Sequence, residues 1–453
     1  MKEHNKTLYL GLRKTKAEIV RELLLPAILM SLLGGYYWAI RGSPGGGAQF
    51  PGLGWGLVWY YLSYEKQENK RRVYSAGWVV LAIAVGVRMG GNIGYGPYLS
   101  WIKNMFHLEY QGTWIPVVAW PGYVYLFFCG LQWGGIPGVL ISWCGSKKPL
   151  KAKDWVVRFA FGISGALIAY WLVSSFPQYF YPLYSKGYYA DPVSYPRCQD
   201  VIRITHEVVI AVGLFLGFWT YEIVRKDWRN VLLSITLALG FAIPFVGSAF
   251  WHLMYLHSDL ALDWWKNWEM SIGLGGGVAF GVCYYLYNRP IEADKQVLVR
   301  VRPYSVHRNA ERLIGVYLPL WLFLNVSVMT TVEGIAENFG FDMSPVWYIV
   351  PGIVFYVPST AVYLWLIYGT MKNPFKRDDG RPNVTGVPKL FVATQLFLIA
   401  LGYAVSIRRE MNLALWVLVA VYTVFLVLGV VTFLALKRAR ETVSEQTTGG
   451  IVR

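Results

Sequence analysis

Arg88 stands inside an apolar run, VVLAIAVGVRMGGNIGYGPY, about fifteen residues into a hydrophobic segment expected over 73–94. At 1.5 Å per residue this is roughly 22 Å from one membrane face, in the far half of a bilayer. A guanidinium at that depth costs a few kcal/mol unless it meets a partner, a cavity or a ligand. Asn92 at i+4 and Tyr95 at i+7 are expected on its helical face, so an arginine, an amide and a phenol would line one wall. The competing reading is a structural ion pair with a carboxylate on another span.

A second arginine opens a different chemistry. In WAIRGSPGGGAQFPG (38–52), Arg41 ends the first apolar segment, Ser43 and Pro44 stop the helix, and Gly45, Gly46 and Gly47 follow. Glycines reach the positive-φ conformations that turn successive amides toward one point. Pro51 then suits the first turn of the next helix. An arginine, free amides and a helix start together can hold a carboxylate, phosphate or sulfate. The plain alternative is a surface turn with Arg41 reaching to the interface. No Gly-Lys-Ser/Thr follows, so this is not a P-loop.

The remaining candidates are Gln132, His252 and Glu269. Gln132 sits mid-span between glycines, where an amide bridges helices or touches ligand. Glu269 is expected to open the eighth span, either as partner of Arg41 or Arg88 or as a first-turn glutamate stabilising the helix N-terminus. His206, Glu207, His252 and His257 are expected at outer helix ends or in loops. They form no metal spacing, and the four cysteines make neither a metal motif nor a disulfide framework. Cys198 is expected in an outer loop. Glu65 and Glu222, beside Arg and Lys, read as solvated ion pairs. Trp264, Trp265 and Trp268, and the tyrosines from 179 to 195, exceed what interfacial belts need and suit stacking on sugar rings. The sequence implies no catalytic residues, no metal and no cofactor.

The elements that must position these residues are spans. Of 453 residues 55% are hydrophobic and only 15% charged, with mean hydropathy +0.38; a soluble chain carries about 25% charged residues. The reading is an all-α integral membrane protein with about twelve transmembrane helices. They are expected near 22–41, 51–64, 73–94, 117–143, 156–176, 206–224, 230–250, 268–288, 313–335, 346–371, 389–407 and 412–436. The second is short enough to be a half-helix. The net charge of +16 does not call for nucleic acid. With both termini cytoplasmic, 33 of the 42 Lys and Arg fall on cytoplasmic segments and flanks, as the positive-inside rule requires.

A weak internal repeat organises the first eight spans. Gly130, Gly134 and Gly138 in the fourth recur as Gly273, Gly277 and Gly281 in the eighth, and Tyr64-Glu65 recurs as Tyr221-Glu222. Such four-residue glycine rows let helices approach closely. The expected divisions are a cytoplasmic segment 1–21, a four-helix repeat 22–150, a second and parallel repeat 151–290, a linker 291–312, a C-terminal four-helix unit 313–436 and a cytoplasmic tail 437–453.

Three functions fit. The first in rank is a secondary transporter of the inner (cell) membrane, moving a small anionic, polyhydroxylated solute such as a sugar acid. Parallel repeats and a broken Gly-rich element suit it. The second is a membrane-embedded transferase or hydrolase acting at the outer face on a lipid-linked or anionic substrate. The third is a structural subunit of a membrane complex. Expected partners are the lipid bilayer, a small solute, and a second copy or complex bound through the C-terminal helices.

Overall fold

The structure is a computed structural model and describes residues 16–41, 47, 49–65, 76–90, 94–109, 112–144, 151–191, 193–288, 310–341, 353–354, 357–358, 360–361, 364–365 and 387–449. It is an all-α, multi-pass membrane protein with one small β-hairpin. Among the described residues eight helices are long and apolar enough to cross a bilayer, and two more apolar helices are shorter. The expected span over 346–371 falls largely outside the described residues.

The helices, in chain order, are α1 (Lys16–Ile40), α2 (Gln49–Glu65), α3 (Ala76–Gly90), α4 (Gly96–Trp101), α5 (Trp120–Cys144), α6 (Ala152–Ser175), α7 (Pro196–Val224), α8 (Trp228–Gly247), α9 (Phe250–Met254), α10 (Trp264–Asn288), α11 (Leu313–Phe339), α12 (Val387–Ser406) and α13 (Leu413–Gly449). Strands β1 (Met105–His107) and β2 (Trp114–Pro116) pair antiparallel, with Phe106 opposite Ile115.

Packing divides the chain into two compact units. One is formed by 1–84 with 277–453, the other by 85–276. This grouping differs from the division expected from the repeat, because α3 and α10 each run from one unit into the other.

In the first unit, α1 contains a π-helical turn at Val20–Leu24, and another at Glu311–Tyr317 leads into α11. Both precede a proline by two residues, Pro26 and Pro319. A proline has no N–H for the carbonyl four residues back, so the ladder shifts to i→i+5. Leu25 N–H accordingly donates to Val20 O and Leu318 N–H to Leu313 O. The core is aromatic. Trp55 lies 4.6 Å from Phe280 and donates its indole N–H to Met30 O. Tyr284 donates to Leu62 O. Gly277 and Gly281 bring α10 onto the backbone of α1 at Met30 and Ala27, where any Cβ would collide. The Glu311 carboxylate accepts from Gly77 N–H and so caps the start of α3.

In the second unit, Gly130, Gly134 and Gly138 face α8 at Ala242, Leu237 and Ser234. The expected role of this row, close helix approach, is what the packing uses. Gly165 and Gly213 do the same between α6 and α7. Leu131, Ile136, Val139, Val212, Phe215 and Phe218 fill the space between α5 and α7.

Several expected boundaries are corrected. α3 ends at Gly90, so the expected span over 73–94 is shorter than drawn. α7 begins at Pro196, so the expected outer loop 177–205 is helical over its last third, and Cys198 is a buried helix residue. Proline fits the first helical turn, where its missing N–H is not needed, and this starts α7 early. For the same stretch, His206 and Glu207 lie inside α7 and not at its end. His206 Nδ1 sits 3.2 Å from the Tyr181 hydroxyl, and Glu207 pairs with Arg203 at 3.1 Å.

Candidate ligand-binding site

The second unit concentrates polar groups where α8 ends and α10 begins. Pro244 lies three residues before the end of α8; Ser248 then turns the chain into α9. That turn delivers His252 to the first coils of α10. Its imidazole packs against Trp268 at 5.1 Å and Trp265 at 5.3 Å between ring centroids. Tyr95, the residue capping α4, meets the same two rings at 5.1 and 6.0 Å, and Phe245 closes the group at 5.5 Å from Trp268. Trp268 is pinned by donating its indole N–H to Phe245 O.

Trp265, Trp268 and Glu269 are spaced i, i+3, i+4 and share a face of α10. Glu269 is fully buried, and its Oε2 accepts from Lys266 Nζ at 2.8 Å; Lys266 is 7% exposed. Glu269 is therefore not a first-turn glutamate at a helix N-terminus. α10 starts at Trp264, one turn earlier than expected, because Asp263 caps it: its Oδ1 accepts from Lys266 N–H. A buried ion pair of this kind persists only where geometry and further hydrogen bonds offset desolvation.

Two polar side chains here have no hydrogen-bond partner among the described residues. One is His252, 4% exposed, at Nε2. The other is Gln132, fully buried, at both Oε1 and Nε2. Gln132 lies on α5 three residues before Gly135, on the face turned to Phe215 of α7. Buried polar atoms are nearly always satisfied, so each exception asks for a reason. Lys103, in the turn after α4, places its ammonium 5.6 Å from the Tyr255 ring and within electrostatic reach of His252. Burial lowers the Lys103 pKa.

The structure thus brings Tyr95, His252 and Glu269 around one pair of tryptophans, while Gln132 stands on another face of α5 than Trp133. Arg88 sits elsewhere in this unit. Gly86 and Gly90 turn toward Pro137 and Trp133 of α5, and Arg88 lies on the opposite side of α3, partly exposed. Tyr95 does not share its helical face, because α3 has ended before it. Asn92 lies outside the described residues. Arg88 has no carboxylate within 4 Å among the described residues.

Arg41 and Gly47 belong to the first unit. Arg41 caps the C-terminus of α1, is buried, and lays its guanidinium 4.5 Å over the Trp38 ring. Gly47 has φ +58°, as the glycine turn requires, but its N–H donates to Arg41 O at 2.8 Å. That amide closes the loop and is not turned toward a ligand, which corrects its expected role. Gly45 and Gly46 lie outside the described residues.

A second charged cluster was misread from sequence. Glu222 is not solvated: it is 1% exposed and pairs at 2.7 Å with Arg158, itself fully buried. Asn230 donates to the other Glu222 oxygen at 3.0 Å. Glu222 falls three residues from Arg225, which suggests a surface pair, but α6 lies against it and closes off water. The Glu65 side chain lies outside the described residues. Among the described residues no three His, Cys, Asp or Glu side chains gather as a metal site.

The chain matches no family model, no curated protein and no solved structure. Function therefore rests on the geometry.

Proposed function

We propose that this protein is a secondary transporter that binds a small anionic, polyhydroxylated solute, of the sugar-acid class, at the cluster of Tyr95, His252, Lys266 and Glu269, with the Gln132 amide of α5 as a further polar contact along its path. The observations that support the reading are two buried groups without hydrogen-bond partners among the described residues, His252 Nε2 and the Gln132 amide, and the buried lysine–glutamate pair on α10. Ionisable and polar groups within spans mark solute or ion pathways by default. Trp265, Trp268 and Tyr95 offer ring faces for the apolar side of a sugar. Lys266 supplies the cation for a carboxylate, with Glu269 holding it in place until the solute arrives. The placement of basic residues supports cytoplasmic termini, which puts this cluster toward the outer face.

The test is uptake into proteoliposomes of radiolabelled monosaccharides and their uronic acids. Wild type is expected to accumulate a uronate and His252→Gln or Gln132→Leu to lose accumulation while remaining folded. Equal uptake by wild type and both variants would overturn the assignment of the site. Recovery of a chemically altered compound would replace transport with catalysis, His252 and Glu269 then being the acid–base candidates.

A further inference from the structure

At the other end of α8 lies a site that the transport reading does not use. Arg158 sits seven residues into α6, with the Glu222 carboxylate from α7 and Asn230 from the first turn of α8 beside it. Three rings enclose the guanidinium: Trp155 at 4.7 Å, Trp143 at 4.9 Å and Tyr221 at 5.5 Å from its central carbon. Such faces hold a cation without using its N–H groups.

Those N–H groups are the unusual part. A guanidinium has five donors in a planar fork made for bidentate contact with a carboxylate or phosphate. Here Glu222 Oε1 stands 2.7 Å from Nη2, while Nε and Nη1 have no hydrogen-bond partner among the described residues. The second Glu222 oxygen is turned to Asn230 and is not offered to the fork. The charge is neutralised through Nη2 while Nε and Nη1 stay unsatisfied among the described residues, which is a poor fit for a purely structural pair. Arg225, Lys226 and Arg229 lie on the same ends of α7 and α8, and Lys151 and Lys153 at the start of α6, so anions are concentrated there.

We infer that Arg158 is an anion-binding site for a carboxylate or phosphate group, and that Glu222 is its resident internal ligand, displaced when an external anion takes the fork. The inference stands apart from the solute cluster on α10 and survives if that cluster proves inert.

The experiment uses the full chain in nonionic detergent, with formate and inorganic phosphate as probes and chloride as the ionic-strength control. Glu222→Ala vacates the resident carboxylate. Its thermal midpoint is expected to fall, and formate or phosphate to restore it along a saturable curve, as a ligand of the folded state must. Wild type should need at least tenfold more anion for the same rise. Arg158→Gln combined with Glu222→Ala should show no rise beyond that with chloride. Should Glu222→Ala fail to fold, Glu222→Gln keeps the volume and is tested for the same saturable shift. Added phosphatidylglycerol distinguishes a lipid headgroup from a free anion: a headgroup reproduces the phosphate effect at micellar concentrations. A response no larger than wild type's, or one that survives loss of Arg158, overturns the inference.

Discussion

α8 carries a buried ion pair beside each of its ends, and the two are built differently. Arg158–Glu222 joins α6 to α7, 64 positions apart in the chain, inside a cage of rings. Lys266–Glu269 is local, three residues apart on α10. The first pair ties helices together, so its loss is felt in the fold. The second joins two residues of one helix, on the same helix as the Trp265 and Trp268 rings that meet His252. A charge pair between elements is therefore a structural tie as well as a candidate site, whereas a pair within one helix is set by that helix's own spacing.

Mutation sharpens this contrast. The largest effect is expected at the inter-helix pair. Removing Arg158 alone leaves Glu222 uncompensated in a dry site, at a cost of about 3–5 kcal/mol. Arg158→Met with Glu222→Leu should regain most of that, since no charge is then left buried. Thermal unfolding of the two single variants and the double variant measures it; additive losses would mean that the two residues do not act as a pair.

Glu269→Gln is expected to cost less, about 1–2 kcal/mol, because the amide keeps the side chain's volume and its oxygen can still accept from Lys266. Its effect on solute binding should exceed tenfold, so binding and stability should separate here and not at Arg158. A stability loss matching that of the Arg158 variant would erase the contrast.

Gln132→Leu is smaller still and opposite in sign. Replacing an amide with no partner by an apolar side chain of similar size should leave stability unchanged or raise it by about 1 kcal/mol. A loss above that value would reveal a hydrogen bond to Gln132, and its role in the solute site would fall with it.

The smallest effect is local to the β-hairpin. Burial, then the positive charges of Arg197 and Lys103, hold the His107 pKa below its ordinary value of 6.5. The unfolded hairpin takes up a proton first as pH falls, so the folded form keeps this contribution above about pH 6.5 and loses it below. Hydrogen exchange at 105–116 should quicken between pH 7 and 5.5, with the helices unaffected. No change in that window would remove His107 from the account.

The membrane class was legible because hydropathy acts locally: a run such as Leu413 to Ala439 needs no tertiary information to be read as a span. Gly130, Gly134 and Gly138 announced close packing for the same reason, since spacing by four defines one helix face. Gln132 was legible as a polar residue in an apolar span, whereas His252 and Glu269 read as residues at helix ends, and only the fold shows them buried. Lys266 escaped, although its i, i+3 spacing to Glu269 was visible, because the stretch reads as a loop until Asp263 is known to cap a helix there. Arg158 and Glu222 escaped for a deeper reason. Each lies near basic residues at a helix end, where exposure is the default, and nothing local tells that α6 covers α7 at that point. The Arg41 glycine turn shows the converse: its composition suggested open amides, but the fold spends the Gly47 amide on closing the turn. The amino-acid sequence by itself determined the all-α membrane class, the close-packing glycine rows and the presence of polar residues in apolar stretches, because these follow from short-range periodicity and transfer free energy. The tertiary structure alone decided which charges are buried, which partners they meet and which donors are left over, because these depend on contacts between segments that are distant in the chain.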